Sequence, residues 1–473
     1  MRVVLFIDVK VALGFELNRK CNKNHVVFDA SIWLCLLIVI RLRIFGNMKN
    51  MRGLNSDIIS NLPDNILEKI LMRLSILEVV STSVLSKTWR YTWTRLSQLV
   101  FDDTFCKGVL RKEKNKLMMT IYHIMLFHRA PIVKFSLCFS GLESCPEIDP
   151  LILIVSNNEI QEFILLIWKG EPYKLPSSLF SCQQLKRLNL RCCMIKPPPA
   201  FKGFKKLLSL ELREIVITGD VLSSLISSCR LLERLTVGCS TSLDCLEIDA
   251  PRLKFLCCEG HFSSICFKNT PKLFKVSIYL LVEMDVPVFK QARPSKLVTL
   301  LGSLPVIDFL RLDYFYIQYM AADGVPKRLP TTLKRLKTLR LTEICFGELE
   351  EILVMLCLIR SSPNLQKMTI RVHTNESVAI DSVLVLLEMQ EWSDVTLNRL
   401  RQVEMRSLSG SRPELEFIKL LFAKSPVLET MLIEPNSAVV VDRGLGILKE
   451  ASRFRRLSPR AEIKFENSDV DQV

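Results

Sequence analysis

The sequence predicts an α/β protein in which a small all-α module is followed by an irregular α/β solenoid with a carboxyl-terminal cap. Apolar residues recur at helical spacing within residues 55–100, and a short apolar pattern then returns throughout residues 130–435. Length is a third observation. A chain of 473 residues exceeds one ordinary compact core, so several domains or an extended repeat array are expected.

The composition is that of a folded protein, with 49% hydrophobic and 24% charged residues. Its 16 cysteines are scattered and lack the framework of a small secreted domain, which indicates reduced thiols and a nuclear and/or cytoplasmic location. The net charge of +15 could attract nucleic acid. Because the cations are spread along the chain without an aromatic-interleaved basic motif, we expect no nucleic-acid partner.

Residues 1–47 contain one continuous apolar run, Ala30 to Ile40. These eleven residues are too few to cross a bilayer, which takes roughly 20 residues of helix. Arg41 and Arg43 follow the run, whereas a signal peptide carries its charges before it. We interpret residues 1–47 as a non-conforming extension of the gene model and do not expect a membrane partner. A membrane-associating segment and a buried strand or helix remain alternatives.

The helical module begins at Pro63, which suits a first helical turn, and Asp64 beside it favours the positive end of a helix. A buried stripe and then a second helical pattern follow. Periodicity alone favours an ordinary helical hairpin that caps the next domain. The apolar positions of the two patterns are Ile66, Leu67, Ile70, Leu71 and Leu74, then Val80, Val84 and Leu85.

The order of these residues resembles the F-box in content and spacing, from Leu62-Pro63 through Val84-Leu85-Ser86-Lys87 to Trp89-Arg90. The resemblance implies a three-helix module that docks apolar side chains into a Skp-type adaptor, which in turn binds a cullin scaffold. Trp89 and Trp93 are expected mainly to pack the module. Ser75 stands where many plant members have proline, which implies a less rigid turn. The adaptor-binding positions implied by the resemblance are Leu62, Pro63, Ile66, Leu67, Ile70, Leu71, Leu74, Val84, Leu85, Lys87, Trp89 and Arg90.

A pattern of apolar, two residues, apolar, one residue, apolar recurs after the module in thirteen copies, mostly about 20 to 35 residues apart. This is the period of leucine-rich repeats, whose short strands turn apolar side chains into a solenoid interior. Helical spacing within residues 220–226 and 348–359 predicts helices on the return path. The copies start at Ile132, Ile160, Leu185, Leu207, Leu232, Leu243, Leu253, Leu273, Ile307, Leu336, Leu365, Leu400 and Leu428.

The end of the repeat region closely resembles the FBD domain of plant F-box proteins with leucine-rich repeats, on Leu400 to Gly410, Pro413 to Leu421 and Ser425 to Glu429. It predicts strand, turn, helix and strand, which would cap the solenoid. We therefore divide the chain into an F-box at residues 55–100, a solenoid at 130–380, an FBD-like cap at 381–460 and a tail at 461–473.

No pattern for catalysis, cofactor binding or metal binding is present in the sequence: it lacks HExxH, a G-x-S-x-G elbow, a CxxC pair and a phosphate-binding glycine loop. We therefore expect a non-enzymatic chain without cofactors. The family resemblance implies the substrate-recognition subunit of a Skp-cullin-F-box ubiquitin ligase, whose repeats bind an unknown protein target. A leucine-rich interaction scaffold outside any ligase is the main alternative. Binding of nucleic acid through the positive charge is a third reading.

Overall fold

The computed structural model describes residues 63–83, 89–109, 114–239, 245–260, 264–279, 296–302, 306–321, 324–373, 380–388, 397–436 and 441–466, with Leu243, Phe262 and Leu304. The chain divides into two units, residues 1–139 and 140–473. The extension 1–47 and the adaptor-binding candidates Leu62, Val84, Leu85 and Lys87 lie outside the described residues.

The first unit is mostly helical. Its core includes Phe101, whose ring centroid lies 5.0 Å from that of Phe105 and 6.0 Å from that of Phe135. The strands Gln98–Asp102 and Lys134–Cys138 pair in parallel. Its elements are α1 (Asp64–Leu71), α2 (Ile76–Thr82), a 3-10 helix (Trp89–Arg95), β1 (Gln98–Asp102), α3 (Asp103–Val109), α4 (Lys114–Phe127) and β2 (Lys134–Cys138).

In the described residues, the second unit is built on one parallel sheet whose twelve strands follow one another in chain order. Parallel neighbours in chain order require a return segment between each pair, as in a solenoid. The strands are β3 (Glu162–Leu166), β5 (Arg187–Arg191), β7 (Ser209–Ile215), β8 (Arg234–Cys239), β10 (Phe255–Glu259), β12 (Lys275–Tyr279), β13 (Phe309–Asp313), β14 (Thr338–Ile344), β15 (Lys367–Val372), β16 (Gln402–Leu408), β17 (Thr430–Pro435) and β18 (Glu462–Phe465).

The return segments carry helices and two short parallel strand pairs, which confirms the α/β architecture expected from the sequence. Both predicted return helices are present, in α6 and α9. The helices are α5 (Ile148–Ser156), a 3-10 helix (Ser177–Ser181), α6 (Gly219–Ser228), α7 (Lys296–Gly302), α8 (Tyr314–Ala321), α9 (Leu349–Arg360), α10 (Ile380–Glu388), α11 (Arg412–Lys424) and α12 (Val441–Arg453). The strand pairs are β4 (Tyr173–Lys174) with β6 (Cys193–Met194), and β9 (Leu246–Asp249) with β11 (Ile265–Asn269).

Alternation along each strand separates the core from the outer face of the sheet. In β14, for example, Leu339 and Leu341 are fully buried, whereas Thr338, Arg340 and Thr342 alternate with them and are partly exposed. The apolar positions of the repeat pattern are therefore the core, as the sequence predicts.

A tight turn precedes most strands of the sheet. The amide of the first apolar residue of a repeat donates to the carbonyl three residues earlier, at 3.3 Å for Leu185, 3.0 Å for Leu232 and 3.2 Å for Leu365. The next two amides then share one carbonyl of the preceding repeat. Lys337 and Thr338, for example, both donate to the Asp308 carbonyl, at 2.9 and 3.0 Å. These bonds fix the register of each strand to its predecessor.

The repeat copy at Leu243 does not belong to the main sheet, contrary to expectation. Its residues Leu246 and Ile248 lie in β9, which pairs with β11 and packs against α6 on the return side. Both strands and return segments bury alternate apolar residues, so the pattern alone does not distinguish them. The copies at Leu232 and Leu253 precede strands of the main sheet, and the copy at Leu243 lies on the return segment between them, which explains their close spacing.

The carboxyl-terminal region has the expected order of strand, turn, helix and strand in β16, α11 and β17. Ser411 and Glu414 form a reciprocal capping box that starts α11. The predicted packed face of α11 is buried, with Ile418 at 0% and Leu421 at 1% exposure. The sheet also adds β18, which lies inside the segment 461–473 that the sequence analysis sets apart as a tail. β18 is only four residues long, and its side chains are at most half-buried. Its alternation of exposed and half-buried residues is therefore too short to be found from the sequence.

Within the described part of the chain, four residues other than glycine adopt a left-handed backbone, at φ values from 51° to 60°. Each lies seven residues after the start of its repeat pattern, and three of them coincide with a shift in strand register. The bend that ends these strands is thus a repeated feature of the solenoid. The four residues are Cys192, Glu214, Glu343 and Ser407. Among the described residues, no helix is long and apolar enough to cross a membrane.

Candidate partner-binding surface

The first helix of the module starts at Pro63, whose carbonyl accepts hydrogen bonds from the amides of Ile66 at 2.9 Å and Leu67 at 3.1 Å. The fixed φ of proline, here −56°, is compatible with entry into a helix. The sequence prediction of a helix start at this residue is therefore confirmed.

The apolar residues of α1 separate into two adjacent rows. Leu67 and Leu71 are 1% and 0% exposed and belong to the core of the module. Ile66 and Ile70, four residues apart on the neighbouring row, remain half-buried, and Pro63 at the start of the same row is exposed. Leu74, just after the helix, is also half-buried. We call Pro63, Ile66, Ile70 and Leu74 the apolar row.

The turn between α1 and α2 is closed by a capping box. The Ser75 amide and hydroxyl both donate to Glu78 Oε2, at 2.8 and 2.9 Å, and the Glu78 amide donates to Ser75 Oγ at 3.4 Å. Serine at the cap and glutamate three residues later is a local sequence signature that our sequence analysis missed. Ser75, the departure from the plant pattern, thus serves as a helix cap.

The 3-10 helix supports the module from within. Trp93 is 5% exposed and Leu96 is 3% exposed, in line with a packing role for Trp93. The Thr94 carbonyl accepts from the Arg129 amide at 2.8 Å, and the Leu96 carbonyl lies 2.6 Å from His128 Nε2. Burial lowers the pKa of His128. A further hydrogen bond, 3.0 Å from Ser97 Oγ to Glu68 Oε1, ties α1 to the segment before β1.

The structure therefore distinguishes among the adaptor-binding residues predicted from sequence. The residues of the apolar row are exposed or half-buried, whereas Leu67 and Leu71 lie in the core of the module. Trp89 and Arg90 begin the 3-10 helix. The assignment of adaptor contacts to any of these residues remains a prediction.

The outer face of the sheet is the second candidate surface. On its first strands, the charged side chains mostly form ion pairs with one another. Arg191 pairs with Glu214 at 2.6 Å and lies 3.8 Å above the Trp168 ring, whereas Arg213 pairs with Glu211 at 2.9 Å. Asn189 donates to Glu211 at 3.0 Å. These polar residues mostly satisfy one another.

A buried carboxylate lies at the centre of this face. Glu259 is 2% exposed, accepts a hydrogen bond from the Tyr279 hydroxyl at 2.7 Å and lies 3.3 Å from Arg213 Nη1. Burial raises the pKa of Tyr279, so its hydroxyl stays protonated and remains a donor. The hydrogen bond from Tyr279 is to Oε1, whereas Oε2 is buried without a hydrogen-bond partner and has only the Arg213 ion pair.

The described cysteines are free thiols, most of them buried. Burial raises the pKa of Cys239 to about 12, and it raises the pKa of Cys357 to about 11, which keeps both as thiols at neutral pH. Within the described part of the chain, no three His, Cys, Asp or Glu side chains come together as a metal site would require.

Comparison with known proteins identifies both units. The F-box domain model matches residues 59–100, which include the helices around the apolar row. A second family model, "FBD-associated F-box protein At5g56370, LRR repeats", matches residues 148–370. An F-box/FBD/LRR-repeat protein of Arabidopsis thaliana is 38% identical over 416 residues, which cover 87% of this chain and 99% of the relative. The chain belongs to the F-box/FBD/LRR-repeat protein family.

Other relatives share this description at lower similarity. A putative F-box/FBD/LRR-repeat protein of the same plant is 29% identical over 236 residues, covering 49% of this chain and 60% of the relative. As an F-box/FBD/LRR-repeat protein, the chain combines an F-box, a domain type that generally binds a Skp-type adaptor, with a repeat sheet that presents a long outer face.

Proposed function

We propose that this protein is the substrate-recognition subunit of a Skp-cullin-F-box ubiquitin ligase. The observation that carries the proposal is the apolar row, which lies within the matched F-box and leaves large apolar side chains only half covered. In our proposal the row docks into a Skp-type adaptor, and the adaptor links the chain to a cullin scaffold.

The proposed mechanism is proximity. The repeat sheet holds a target protein while the ligase scaffold brings a ubiquitin-loaded conjugating enzyme near the target's lysines, so that transfer becomes effectively intramolecular. In this role the chain forms no covalent bond with its target and needs no cofactor. We further propose that it acts in the nucleus and/or cytoplasm, where its thiols would remain reduced.

The energy available from the apolar row is compatible with a specific contact. Fully burying one isoleucine side chain contributes about 1.5 to 3 kcal/mol, and Ile66 and Ile70 are already half-buried. Removing both should therefore cost about 1.5 to 3 kcal/mol of binding, a loss of roughly 10- to 150-fold in affinity.

The test is the affinity of the full chain for a purified Skp-type adaptor, measured by calorimetry. We compare the wild type with Ile66→Ala/Ile70→Ala, and with the control Leu126→Ala, which trims a side chain that is 69% exposed on α4. We expect the double variant to lose adaptor binding while its far-ultraviolet circular dichroism stays that of the wild type. Equal affinity for all three proteins, or no binding by a folded wild type, would contradict the proposal and favour a leucine-rich interaction scaffold.

A further inference from the structure

Two arginines stand side by side on the outer face of the sheet. Arg311 of β13 and Arg340 of β14 are register partners in neighbouring parallel strands, which lie about 4.8 Å apart. Both alternate with fully buried leucines, so both project away from the core. Like charges directly opposite each other destabilise a sheet.

Neither arginine has an ion-pair or hydrogen-bond partner among the described residues. No ion pair or hydrogen bond in that part of the chain involves their side chains, and the Nε atom of each is buried without an acceptor. Other arginines on this face differ: Arg191 pairs with Glu214, and Arg406 pairs with Glu434 at 2.5 Å. A buried N–H donor without an acceptor costs free energy that an incoming acceptor would recover.

The neighbouring acids are already engaged. Glu404 pairs with Lys367 at 2.5 Å. Burial raises the pKa of Glu404, but the hydrogen bond from Lys367 and the charges of Arg406 and Arg340 lower this pKa overall. Arg340 nevertheless remains outside ion-pair distance of this carboxylate. Asp313 is 4% exposed and accepts a hydrogen bond from the Tyr316 amide at 3.1 Å.

The surroundings favour a flat anionic group. Arg311 stacks 4.1 Å above the Tyr279 ring, which holds the guanidinium plane. Forked guanidinium donors bind carboxylates and phosphates in proteins.

We propose that Arg311 and Arg340 together bind an anionic side chain, a carboxylate or a phosphate, in an acidic segment of the target protein. The inference rests on the proposed function in that it assigns the repeat sheet to target binding. It narrows the target class to proteins that carry paired acidic residues or a phosphorylated residue. The anion offsets the repulsion between two like charges on neighbouring strands and accepts from their guanidinium N–H groups.

The test uses three fluorescein-labelled decapeptides in a Gly-Ser background, one with two adjacent glutamates, one with a phosphoserine and one neutral. Anisotropy at fixed ionic strength measures their binding to the full chain, to Arg311→Gln/Arg340→Gln and to Arg401→Gln. The last variant is the control. It makes the same arginine-to-glutamine change outside the proposed site, at a 62% exposed arginine that is paired with Glu429. Which acidic peptide binds more tightly distinguishes a carboxylate from a phosphate.

We expect at least one acidic peptide to bind the wild type and Arg401→Gln at least tenfold more tightly than the neutral peptide. The double variant should lose that preference and keep or raise its melting temperature, because neutralisation relieves a repulsion. Equal binding of acidic and neutral peptides overturns the proposal. An equal loss of this preference in Arg401→Gln also overturns the proposal. Displacement of the acidic peptide by single-stranded DNA in both the wild type and the double variant overturns it as well, because it would indicate general polyanion attraction. Adaptor affinity, measured on the same preparations, reports separately on the proposed ligase role.

Discussion

Glu351 is a buried acid whose titration should make stability depend on pH. It lies in α9 at 1% exposure and accepts hydrogen bonds from Gln318 Nε2 at 2.7 Å and from the Cys345 amide at 2.9 Å. Burial raises the pKa of its carboxyl from 4.5 to about 7, because the two donors only partly replace the lost water. The folded protein therefore binds this proton more tightly than the unfolded chain does.

The sign and magnitude follow from linkage. A pKa that rises on folding stabilises the folded state fully below the unfolded value of 4.5, and this stabilisation is lost as pH rises to about 7. Since one pKa unit corresponds to about 1.4 kcal/mol, the whole effect is about 3.4 kcal/mol, of which about 2 kcal/mol falls between pH 5 and pH 7. Glu351→Gln cannot ionise, so it should lack this loss.

The assay is urea unfolding of the wild type and Glu351→Gln at half-unit steps from pH 5 to pH 8, followed by circular dichroism. The variant loses one acceptor and should be about 1 kcal/mol less stable at pH 5. Its disadvantage should vanish and reverse by pH 7. The exposed Glu450→Gln, on α12, is the control and should keep the wild-type pH dependence. Parallel stability curves for wild type and Glu351→Gln would refute the reasoning.

Two further predictions concern the backbone. Ser75→Ala removes the hydroxyl of the capping box and should lower the free energy of unfolding by about 0.5 to 2 kcal/mol, measured by urea denaturation; an unchanged midpoint would mean that the cap does not stabilise the module. Ser407→Gly relieves a left-handed backbone at φ 59° and should be neutral or stabilising by up to about 1 kcal/mol, whereas Ser209→Gly in the extended strand β7 should cost about 0.5 to 1 kcal/mol. Thermal melts of both variants check this, and a larger loss at Ser407 than at Ser209 would contradict it.

Periodicity carried the prediction of the fold because each strand repeats the same short apolar pattern. Leu310 and Leu312 are fully buried where that pattern places them, and the helices of the return path follow from their own spacing. The same periodicity failed at Leu243, since a return strand buries the same kind of alternation. Sequence spacing alone contains no information about which side of the solenoid a strand occupies.

The two candidate surfaces depended on details that the sequence does not hold. Ile66 and Leu67 are adjacent in one apolar stripe, and only packing decides that Leu67 faces the core while Ile66 remains half exposed. Arg311 and Arg340 are 29 residues apart, and their side-by-side placement follows from strand register. Register depends on the turns and return segments between strands, which vary in length from repeat to repeat.

The carbonyl that two successive amides share at the start of most strands has an evolutionary consequence. Twenty-one residues separate Leu232 from Leu253 and thirty-four separate Leu273 from Ile307, yet each strand docks on its predecessor through the same bonds. Insertions and deletions on the return path can therefore accumulate without displacing the face that meets a target. Such a frame lets a gene family diversify its recognition surface one outward side chain at a time while inheriting a single architecture.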